Sequence, residues 1–90
     1  MSVLEPGNMF ILDGTSRPGG VNRITMVRNG RQVGVLETGD TFILLSTMVT
    51  EERRRVRYNM PLWQILAKGQ VATIFVNQDE RDSLRLLSQS

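Results

Sequence analysis

The chemistry this chain can offer lies first in its arginines. Of eleven cationic residues only Lys68 is a lysine, and four arginines crowd into Arg53-Arg54-Arg55-Val56-Arg57. A guanidinium presents a rigid fork of N–H donors that fits phosphate and carboxylate groups two bonds at a time. Read as a strand, this segment points Arg53, Arg55 and Arg57 to one face, and Arg54, Val56 and Tyr58 to the other. The result is a positive stripe about 13 Å long, at roughly 3.3 Å per residue. Such a stripe tracks a nucleic-acid backbone rather than reading bases. The same residues serve equally well to defend an edge strand against aggregation, or to meet an acidic protein surface. A GC-rich genome also favours Arg codons over Lys, whatever the function.

The other candidates are fewer. Lys68 followed by Gly69 places an ammonium beside an open backbone, which suits a phosphate. The plain alternative is a cation and a glycine at a helix end. Tyr58 and Trp63 could stack on bases beside the stripe, although only five aromatics exist and Trp63 lies in an apolar segment suited to sealing a core. Arg28 and Arg31 flank Asn29-Gly30, and Arg17 and Arg23 lie upstream. The acids nearest glycine turns are Asp13, Glu37 and Asp40. Turn chemistry accounts for Asp13 and Asp40.

What is absent narrows the classes further. The chain has neither His nor Cys. That excludes disulfides, thiol nucleophiles and zinc sites built on those residues, and removes the commonest general base at neutral pH. No phosphate loop of the P-loop or dinucleotide type is present. The expectation is a non-enzyme without cofactor or metal. Ninety residues make a single domain over 1–90, with 1–7 and 88–90 read as frayed ends. A hydrophobic fraction of 40% and charged fraction of 22% suit a small folded domain. No apolar run approaches the ~18–20 residues of a membrane span, and no signal peptide is visible, so a cytoplasmic location is expected.

These side chains must be carried by short strands. Met9–Leu12 is too short for a helix and lies between Gly7 and Gly14. Residues 14–20 form a polar loop rich in Gly and Pro. Val21–Arg28 and Arg31–Leu36 flank Asn29-Gly30, the strongest short hairpin signal, because a type I′ turn needs positive φ at both positions. Gly34 within the return strand predicts a bulge or a close backbone approach. After the turn at Glu37-Thr38-Gly39-Asp40, Thr41–Val49 is apolar on both faces, which suits a strand that sits centrally or bends around a small barrel. Arg53–Tyr58 returns from the Thr50-Glu51-Glu52 turn. Met60–Gly69 reads as a short helix or 3₁₀ turn, with Asn59 as cap, Pro61 in the first turn and Leu62, Ile65 and Leu66 at helical spacing. Gln70–Val76 is a further strand, and Asp79–Leu87 is read as a short amphipathic helix. The expected fold is mainly β: a small five- to six-stranded antiparallel barrel, SH3-like or Sm-like, with one short helical turn before the last strand.

This arrangement resembles the Sm-like small barrels. Asn29-Gly30-Arg31, Gly34, Leu36 and Asp40 stand in the order of that family's first motif. Ile65-Leu66-Ala67-Lys68-Gly69 leading into Val71-Ala72-Thr73-Ile74 resembles its second. The likeness covers roughly residues 21–76. It departs from the pattern at Leu44, where the family carries an RNA-binding Asn, and at Gln70, where it carries Asp or Asn. The resemblance implies a ring of barrels joined strand to strand that binds single-stranded RNA near Lys68.

The expected function is therefore a non-catalytic module contacting RNA or single-stranded DNA through Arg53, Arg54, Arg55, Arg57 and Lys68, assembled as a homo-oligomer and without membrane contact. The alternative is a protein-interaction, assembly or inhibitory accessory module, of the kind phages and mobile elements carry, that works through an exposed edge strand and meets an acidic protein partner.

Overall fold

The computed structural model describes residues 5–14, 21–49 and 61–88. Seven strands among them form one antiparallel sheet: β1 (Met9–Leu12), β2 (Arg23–Arg28), β3 (Arg31–Glu37), β4 (Thr41–Val49), β5 (Pro61–Ala67), β6 (Gln70–Phe75) and β7 (Leu84–Ser88). One short helix, α1 (Gln78–Asp82), precedes the last strand. The order across the sheet is β3-β2-β6-β5-β4-β1-β7. The expected mainly β class holds, but the described residues form seven strands rather than five or six, their short helix precedes β7 and not the strand at 70–76 before which the sequence places a helical turn, and no strand ladder joins β3 to β7, so the barrel is not closed.

Period-two alternation builds the core. Phe10 and Leu12 of β1, Ile24 and Met26 of β2, Phe42 and Leu44 of β4, Trp63 and Ile65 of β5, and Ala72 and Ile74 of β6 all turn inward and are buried. Phe10 and Phe42 are direct cross-strand partners with stacked rings 5.6 Å apart. Trp63 completes the cluster at 5.3 Å from Phe10 and 6.3 Å from Phe42. Offset and tilted rings at these separations gain beyond their buried area, by about 0.5–1.5 kcal/mol per pair. As expected of a doubly apolar strand, β4 is internal, between β5 and β1.

Two local expectations are met at the β2–β3 hairpin. Asn29 and Gly30 both have positive φ, 53° and 78°, with Arg28 opposite Arg31. Beyond Met26↔Gly34 the pairing slips to Val27↔Gln32, leaving Val33 as the extra residue of a bulge beside Gly34.

Two expected helices are corrected. Residues 61–67 form β5, not a helix. Leu62, Ile65 and Leu66 fit a helical period, but Trp63, Ile65 and Ala67 fit a strand period, and the flanking β4 and β6 supply the ladder that decides between them. Lys68 and Gly69, with φ of 52° and 79°, form the two-residue hairpin turn between Ala67 and Gln70 rather than a helix end. The stretch 79–87 divides. Asn77 N–H donates to Glu80 Oε1 at 3.0 Å at the start of α1, and the chain after Ser83 becomes β7, paired with β1. The strand expected over 53–58 lies outside the described residues.

Candidate nucleic-acid interface

The described cations fall into two groups. Most are already engaged. Arg23 pairs with Glu37 at 3.4 Å and Arg85 with Asp13 at 3.2 Å. The Arg81 guanidinium lies 5.8 Å from the Trp63 ring centre, so the buried tryptophan is covered by the helix that follows β6. At 2% exposed, Trp63 has no free face for a base. The three acids that the sequence singles out, Asp13, Glu37 and Asp40, each meet a different cation and do not converge.

Lys68 belongs to the engaged group and reveals how the open side of the sheet is held. Its Nζ lies 3.1 Å from Asp40 Oδ2 and donates to the Val35 carbonyl at 2.9 Å. Two residues on, Gln70 Nε2 donates to the Val33 carbonyl at 3.2 Å. Carbonyls two residues apart on a strand point the same way. Side chains at 68 and 70 thus meet β3 at 35 and 33 with the spacing of an antiparallel ladder, and side-chain donors replace backbone N–H groups. Gly34 lies between them; a Cβ there would sit 3.6 Å from Gln70 Nε2. Asp40 in turn accepts Glu37 N–H at 2.7 Å. That backbone donor first, and the Lys68 ammonium after it, hold the Asp40 carboxyl below its ordinary 3.8 against an opposing effect of partial burial.

No family model, curated protein or solved structure matches this chain. What its surface can do follows from its own geometry.

Arg28 and Arg31 form the second group. They are exposed, stand directly opposite each other across the end of the β2–β3 hairpin, and make no ion pair among the described residues. Like charges at opposed positions lie about 4.5–5.5 Å apart at Cβ and destabilise a hairpin by a few tenths of a kcal/mol. An anion between them would remove that repulsion and receive two guanidinium forks. The sequence signal for this pair was the Asn-Gly turn itself, which brings the flanking residues together. Arg53, Arg54, Arg55 and Arg57, the main residues of the sequence-read site, lie outside the described residues, as do Arg17 and Tyr58. The structure therefore brings Arg28 and Arg31 together and commits Lys68 to β3 and Asp40.

Proposed function

We propose that this chain is a non-catalytic module that contacts single-stranded nucleic acid, RNA in the first instance, through arginine–phosphate pairs. The observation that carries the reading is the Arg28/Arg31 pair: two exposed guanidinium groups facing each other at a hairpin end, with no acid paired to either among the described residues. The sequence adds Arg53, Arg54, Arg55 and Arg57 as a backbone-tracking stripe, whereas Lys68 is taken up by Val35 and Asp40 and is left out of the contact set. An Arg-dominated cation set and a sequence pI of 9.9 agree with a polyanionic ligand. The resemblance to Sm-like barrels points to the same ligand class.

The test is fluorescence anisotropy on labelled RNA and DNA single strands across a salt series. Binding should weaken steeply with salt, by about 0.7 in log–log slope per phosphate neutralised on a single strand. Arg28→Glu with Arg31→Glu should weaken binding to every sequence alike and lower that slope by about 1.4. Absence of measurable binding at low salt would refute the proposal. A second reading, assembly through an exposed strand edge, is favoured by β7, whose outer edge no described element covers.

A further inference from the structure

The sheet has two edges, and they are treated differently. On β3, Lys68 and Gln70 donate to the carbonyls of Val35 and Val33, and a bulge at Val33 breaks the regular line of the strand. These are the devices by which natural sheets protect an edge. On β7, no described strand or side chain pairs with the outer edge. Three of its five residues are leucines. Leu84 and Leu86 turn toward the core but are only half-buried, and Leu87 is 42% exposed. Among the described residues, the most apolar rim of the sheet is thus also the one that no side chain caps.

We infer that β7 pairs with β7 of a second copy of this chain, in antiparallel register, to give a two-fold dimer with one continuous sheet. The blocked β3 edge selects this occupant. A second copy has two edges to offer, and β3 is already engaged, so self-pairing must be β7 to β7. Like-with-like pairing closes on itself, whereas β7-to-β3 pairing would run on into a filament. Centred on Leu86, the register sets Arg85 opposite the other copy's Leu87 and brings no two like charges face to face. Arg85 is also paired with Asp13 at 3.2 Å before the copies meet. The new strand would cover the exposed flanks of Leu84 and Leu86. The slip between Met9↔Ser88 and Phe10↔Leu86 makes Leu87 a bulge residue and shortens the flat part of the edge. The interface falls well below the roughly 800 Å² per partner of stable complexes, so a dissociation constant on the order of 100 µM is expected.

The experiment is sedimentation equilibrium of the full chain without nucleic acid, from about 10 µM to 1 mM to bracket that constant, with hydrogen exchange at both ends of the range. The expected result is a mass rising from monomer toward dimer, with β7 amides alone gaining protection at high concentration. Leu87→Lys should raise the dissociation constant at least tenfold while the melting temperature stays put, since Leu87 is outside the core. A monomer mass throughout, growth past the dimer, or a dimer whose β7 amides exchange at unchanged rates would each overturn the proposal. Association is read in the absence of nucleic acid, so its failure is distinct from a failure of arginine–phosphate binding.

Discussion

Replacing Ser83 with alanine should destabilise the fold well beyond what the loss of one hydroxyl suggests. Ser83 is 5% exposed and lies between α1 and β7. Its hydroxyl accepts Val21 N–H at 2.8 Å and donates to the Asp79 carbonyl at 3.0 Å. Its own carbonyl accepts the N–H groups of Asp13 and Gly14 at 2.8 and 3.2 Å. One residue thus ties the end of β1, the approach to β2 and α1 together. Alanine keeps the carbonyl bonds and loses the two hydroxyl bonds. A buried donor left without a partner costs about 1–3 kcal/mol. Val21 is half-buried, so water recovers part of this, and about 1.5 kcal/mol is the expected loss. For a domain of this size, 1 kcal/mol moves Tm by about 4–8 °C, so the variant should melt about 6–12 °C lower. Calorimetry measures the shift, and urea unfolding should show a lower midpoint at unchanged slope. Ser46→Ala is the control: its hydroxyl makes only a 3.5 Å bond to Gln64, and the change should stay within about 0.5 kcal/mol. A Ser83→Ala shift no larger than that of the control would refute the reasoning.

Other outcomes follow from the β3 turn and the glycines. The Asp40 carboxyl is held below 3.8 in the fold, so the stability it contributes is present above that value and is lost as pH falls through its lowered native value. Asp40→Asn should cost about 1 kcal/mol at pH 7, and melting curves of the two proteins should converge as pH drops below 3.8; a constant gap down to pH 2 would contradict this. Gly14 has a φ of 53°, and a Cβ there would lie 2.9 Å from both the Val21 carbonyl and Asn22 Oδ1, so Gly14→Ala should cost about 2 kcal/mol or more. Gly34→Ala would meet only ordinary contacts, the nearest being Met26 Sδ at 3.5 Å, and should stay within about 1 kcal/mol of the parent in urea unfolding.

Much of the candidate site was legible in the chain, though unevenly. The Asn29-Gly30 turn implied that Arg28 and Arg31 meet, and they do, because a two-residue turn sets its flanking pair by local geometry. The local sequence allows Lys68 to be either a phosphate contact or a helix-end cation. It is a turn residue whose ammonium reaches Val35 and Asp40, positions 33 and 28 residues away. Nothing local to Lys68 announces either partner.

The sequence by itself determined the β class and the β2–β3 hairpin, and it marked Gly34 as a bulge or a close approach and β4 as a strand apolar on both faces. Each rests on a constraint that spans a few residues: positive φ at Asn-Gly, a side chain missing at glycine, or apolar alternation with period two. The tertiary structure alone decided the rest. Residues 61–67 carry both a helical and a strand period, and only the ladders to β4 and β6 select the strand. Residues 84–88 become a strand because β1, more than seventy positions earlier, offers them an edge. The guarding of β3 by Lys68 and Gln70, and the β7 edge that no described element covers, depend on the same long-range pairing, in which a ladder's hydrogen bonds form only once distant segments have been brought side by side.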